Sequence, residues 1–131
     1  MIGIKKTLRN MPPWIFTVAV IIAILYLTLV PRPLPPMKIL LFPHADKVIH
    51  ALMFGAVVVA MILDYVRKGG TRLLRFTLFS LATSVAIGGI IELLQSCMGM
   101  GRSGDWYDFM ADAAGAVLCA FSAPLIAKFF K

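Results

Sequence analysis

The stretch GRSGDWYDFMADAAGA, residues 101–116, decides how this chain is read. It carries one Arg and three Asp, and it opens directly into an apolar run that continues to Phe130. Asp105, Asp108 and Asp112 are spaced i, i+3, i+7, which on a helix makes one stripe. From Ala113 to Ala127 there are fifteen residues. That is about 22 Å of helix, short of the roughly 30 Å hydrocarbon core of a bilayer. A helix crossing here must draw Asp112 below the headgroups.

Outward from this stretch the composition is that of a polytopic membrane protein. The chain is 60% hydrophobic and 15% charged, with a mean hydropathy of +0.90. Its 131 residues leave room for a single domain, residues 1–131. Four apolar stretches predict spans, at about 14–30, 46–65, 74–95 and 107–129. They are continuous, without the alternation of barrel strands, so the predicted fold is an all-α membrane four-helix bundle. The first follows Lys5, Lys6 and Arg9 as a signal peptide would, but its far end, LYLTLVPRPLPP, offers no small-x-small site. It reads as an uncleaved span. The segment at residues 31–45 holds five of the eight prolines and is predicted as an irregular outer loop folding back over the bundle mouth.

The net charge is +7, yet the basic residues lie in short clusters between apolar runs. That excludes a nucleic-acid-binding face and points to membrane orientation. Lys5, Lys6, Arg9, Arg67, Lys68, Arg72, Arg75, Lys128 and Lys131 fall on one side, against Arg32, Lys38, Lys47 and Arg102 on the other. Positive residues stay inside, so both termini are predicted to be cytoplasmic. Cys97 and Cys119 fall at different depths, which argues against a disulfide.

Of the six acidic residues, Asp64 lies at the inner end of the second span beside Arg67 and Lys68, as an interfacial partner. The other five are Asp46, Glu92, Asp105, Asp108 and Asp112. All five are predicted at the outer ends of spans two, three and four, together with His44, His50, Lys47 and Arg102. Asp46 and His50 are i, i+4, and Glu92 and Gln95 are i, i+3. A charge facing lipid costs a few kcal/mol, so the three stripes should face one another. Small residues at Gly55, Ser84, Gly88, Ala111 and Gly115 permit that approach.

The bland readings are specific. Asp105 caps the fourth helix, and Trp14, Trp106 and Tyr107 anchor the interface. Glu92 pairs with Arg102, His50 bonds Asp46 or Glu92, and Gln95 joins helices. The count resists them. Five carboxylates against Lys47 and Arg102 leave three negative charges in excess. Pairing cannot neutralise that, so a proton is shared or a cation resides there.

Asp46-Lys47-x-x-His50 opening one span, Glu92-x-x-Gln95 closing the next, and Arg102 followed by Asp108 and small residues through Gly115 resemble the VanZ-like family. The resemblance covers about half the chain. It implies a small, multi-pass protein of the bacterial plasma membrane. The family's namesake is associated with low-level resistance to the lipoglycopeptide teicoplanin. Asp112 departs from the family's usual Asn and makes the site more negative.

Three classes of function follow. The first is an outward-facing site that binds or acts on a lipid-linked envelope substrate. There Glu92, Asp108, His50 and Asp46 are the acid–base candidates. Arg102 and Lys47 would bind phosphate or developing negative charge, with Gln95, Asp105 and Asp112 completing the substrate-binding set. A divalent metal on Asp46, His50, Glu92 or Asp108 would assist. No HExxH, Ser-His-Asp or P-loop pattern is present, so catalysis stays open. The second is a proton- or cation-coupled transporter, against which stands the placement of polar residues at one end only. Its path would need a dimer. The third is a non-catalytic binder of an envelope lipid or partner protein, which an acidic mouth disfavours.

Overall fold

The computed structural model describes residues 1–30, 43–99 and 105–131. Arg32, Lys38, Arg102 and most of the proline-rich segment lie outside the described residues, as does the expected Glu92–Arg102 pair. The described chain is helical, with no strand. Its elements are α1 (Ile2–Asn10), α2 (Ile15–Leu29), α3 (Ala45–Arg67), α4 (Leu73–Met98), α5 (Trp106–Ala120) and α6 (Ala123–Phe130). Three helical rods are long and apolar enough to cross a membrane: α3, α4, and α5 with α6. Helix α2 has 15 residues and meets α1 at a bend of 69°.

Helix α3 is the axis of the fold, packing against every other helix. Its sequence explains this, because MFGAVVVAMIL offers apolar surface all round, which a helix can satisfy only when surrounded. Phe54, Val57, Val58 and Ile62 are completely buried. Approach to α5 is closest at Gly115, where a Cβ would overlap the Ala51 carbonyl. Only glycine fits there. The hydroxyl of Ser84 on α4 donates to the Phe54 carbonyl at 2.9 Å, fastening the third wall.

Two features differ from the sequence reading. The chain preceding the first apolar stretch is itself helical. Ile4 and Leu8 stand one turn apart among Lys5, Lys6 and Arg9, and α1 buries none of its residues. That is the amphipathic pattern of a helix lying along an interface. The last stretch, expected as one helix over 107–129, breaks at residues 121–122 into α5 and α6. Pro124 stands in the first turn of α6, where its missing N–H has no helical partner to lose.

At one end of α3 sits a closed polar knot. Asp64 and Arg67 are buried and joined by a salt bridge of 2.5 Å. The same Asp64 carboxylate accepts from the backbone N–H and the hydroxyl of Thr17, both at 2.8 Å. Thr17 lies in the first turn of α2, whose own N-cap residue, Trp14, supplies no side-chain cap. Asp64 therefore caps α2 from a neighbouring helix. The Arg67 guanidinium donates to the carbonyls of Leu8, Met11 and Pro12, which pins the α1–α2 connection. Asp64 is thus more than the simple interfacial partner the sequence implied.

Candidate functional site

At the opposite end of α3 the first two turns present Asp46, Lys47 and His50, facing the last turns of α4 and the first two turns of α5. Lys47 reaches across. Its ammonium donates to Asp46 at 2.7 Å, to Asp105 at 3.1 Å and to Asp108 at 2.5 Å. Asp105 is the N-cap of α5, accepting from the Tyr107 N–H at 2.9 Å. That bond first, and Lys47 second, hold its carboxyl below the usual carboxylate range. The Asp105 backbone N–H donates in turn to Glu92 Oε2 at 2.8 Å, joining the end of α4 to the start of α5.

His50 lies deeper. Its Nδ1 is 2.9 Å from Asp112 Oδ1, and its Nε2 is 3.7 Å from Asp108 Oδ2. The expected partners were Asp46 or Glu92; the hydrogen bond goes instead to Asp112, one helix away. With Asp112 ionised, its oxygen can only accept, so Nδ1 carries a proton and Nε2 is the ring nitrogen that faces Asp108. Gly88 on α4 makes room for this arrangement, since a Cβ there would stand 2.9 Å from Asp112 Oδ2.

Six of the residues singled out in the sequence thus meet: Lys47, His50, Glu92, Asp105, Asp108 and Asp112. Two others stand apart. The Asp46 side chain is 57% exposed at the rim, where it pairs with Lys47. Gln95 turns toward α2, donating to the Thr28 carbonyl at 2.8 Å, so it joins helices and does not line the cluster. Arg102 lies outside the described residues.

Two buried oxygens of the cluster, Glu92 Oε1 and Asp112 Oδ2, have no hydrogen-bond partner among the described residues. In a folded protein such atoms call for an explanation, because leaving them unpaired costs about 1–3 kcal/mol each, more when charged. Lys47 is shared by three aspartates. Among the described residues no lysine or arginine reaches Glu92 or Asp112.

Beside the cluster, α4 and α5 enclose a groove of about 550 Å³. Ala86, Gly89, Ile90, Leu93, Trp106 and Phe109 form its apolar walls, and Glu92, Asp105 and Ser96 stand at its polar end. Nothing in the sequence pattern pointed to this groove. On its wall the Phe109 ring packs close to Gly89, 3.3 Å from where a Cβ would be. Compared with family models, curated proteins and solved structures, the chain matches none.

Proposed function

We propose that the chain is a multi-pass protein of the bacterial plasma membrane. In this reading its polar cluster faces outward and binds, or acts on, a lipid-linked molecule of the cell envelope. The observation that carries the reading is the junction of an apolar groove with a polar cluster at Glu92 and Asp105. An amphiphile has the same two parts in the same order, an acyl chain for the groove and a polar head for the cluster.

Orientation is supported by the crowding of cations at the opposite end. Arg9 donates to the Phe130 carbonyl at 3.0 Å, Lys68 to the Arg9 carbonyl at 2.8 Å, and Lys5 lies over the Phe129 ring. Both termini and the α3–α4 turn therefore share one end, which the positive-inside rule assigns to the cytoplasm. α2 completes a four-helix bundle around α3 with α4 and α5–α6. The resemblance to the VanZ-like family agrees with this arrangement and extends it to glycopeptide tolerance.

In the cluster, Lys47 is the cation suited to a phosphate or a developing oxyanion, and His50 with Asp108 and Glu92 is the set suited to moving a proton. The test is incubation of the purified protein with envelope lipids, followed by mass analysis of bound and free species. The expected result is retention or a mass change of a polar lipid that Glu92→Gln abolishes. Equal behaviour of wild type and variant contradicts the proposal. Bacteria expressing the chain should tolerate more teicoplanin than bacteria expressing Glu92→Gln.

A further inference from the structure

We infer that His50, Glu92 and Asp108 form a binding site for one divalent metal ion, with Asp112 as the group that orients His50. The inference goes beyond the lipid reading and stands without it.

A ring nitrogen of His50 and one carboxylate oxygen each from Glu92 and Asp108 lie within 4.8 Å of one another. Three donors that each bond one ion at about 2.1 Å in tetrahedral directions stand about 3.4 Å apart. The 3.7 Å between His50 Nε2 and Asp108 Oδ2 is close to that separation. The donors come from three helices, so the backbone fixes their spacing.

Acidic residues gather on many proteins without holding an ion. Two independent features set this group apart. The first is Glu92, only 8% exposed, whose Oε1 has no hydrogen-bond partner among the described residues. Its other oxygen is already taken by the Asp105 N–H. A buried carboxylate with one oxygen satisfied and one bare is what a ligand looks like before its ion is added.

The second is the Asp112–His50 bond. Histidines that bind metals donate their remote ring N–H to a carboxylate or carbonyl, which fixes the tautomer and turns the other nitrogen toward the ion. Here the carboxylate is completely buried and the bond is 2.9 Å long. Asp108 divides its oxygens in the same way. Oδ1 accepts from Lys47, and Oδ2 is left facing His50.

The donor set selects the class of ion. One imidazole and two carboxylates suit zinc or manganese, whereas calcium prefers six to eight oxygens. Three protein ligands leave positions open for water or for a substrate oxygen.

The experiment uses the full chain in detergent or nanodiscs, stripped with chelator and titrated with Zn²⁺ or Mn²⁺ alone, with no lipid substrate added. Calorimetry and metal analysis should report one ion per chain. His50→Ala, Glu92→Gln and Asp108→Asn should each lose it. Asp112→Asn should keep the stoichiometry and weaken binding about 10- to 100-fold. Gln95→Ala, outside the donor set, should bind as wild type does. Size-exclusion profile and helix content show which variants fold, and Asp112→Asn keeps the test decisive if a ligand variant does not. Wild type that takes up no stoichiometric ion overturns the inference, as does Glu92→Gln binding as tightly as wild type. Metal uptake without any lipid retention would sink the proposed function and leave the metal site standing.

Discussion

The two ends of α3 carry polar clusters of opposite character. At one end, Asp64 and Arg67 balance each other in charge, and Thr17 and three backbone carbonyls take up their remaining hydrogen bonds. At the other, four carboxylates gather with Lys47 and His50 while Asp46 stands at the rim, and two buried oxygens lack a hydrogen-bond partner among the described residues. A balanced, satisfied cluster holds helices together. An unbalanced one is kept for something that completes it, and structure is weakened locally to keep it. Both clusters sit on one helix, the closed one against α1 and α2 and the open one against α4 and α5.

The contrast breaks most easily at the closed end. Asp64→Ala should destabilise the protein by about 3–5 kcal/mol, because it leaves Arg67 as an uncompensated buried charge and strips the cap from α2. Thermal unfolding in detergent reads that loss. A variant within experimental error of wild type would mean the knot does not hold α2 at all.

Gly115→Ala comes next, at about 1–3 kcal/mol or more, since the new Cβ overlaps the Ala51 carbonyl and one of the two helices must move. The same displacement would separate His50 from Asp112. This variant should therefore lose both stability and site function. Unchanged stability would show that α3 and α5 approach less closely than 115 and 51 require.

Ser84→Ala removes the hydroxyl that donates to the Phe54 carbonyl. That carbonyl also serves the helix ladder, so the expected loss is about 1 kcal/mol. Site function should be retained, which distinguishes a fastening residue from a member of the cluster.

Much of this was legible in the sequence. Helices α3 and α4 run Ala45–Arg67 and Leu73–Met98 where 46–65 and 74–95 were expected, because long apolar runs between basic turns leave little freedom. The Asp105, Asp108, Asp112 stripe was legible because helical spacing alone places those residues on one face. The partners within the cluster were not. Asp46 is four residues from His50 and looked like its natural mate, yet it bonds Lys47 at the rim while His50 reaches α5. Spacing along one helix says nothing of the distance between two. The Asp64 cap on α2 was hidden for the same reason. α1 was missed because its cations were read as orientation signals alone, when Ile4 and Leu8 stand one helical turn apart among them.

The smallest expected effect bears most directly on the difference between the two ends. Glu92→Gln keeps the shape of the side chain and an acceptor for the Asp105 N–H while deleting a buried negative charge that no lysine or arginine among the described residues meets. Thermal unfolding of metal-free Glu92→Gln, beside Asp64→Ala, should show no loss of stability against wild type, or a gain. A fall comparable with that of Asp64→Ala would mean that the carboxylate at residue 92 holds the helices together, and the division between a structural end and a functional end would be wrong.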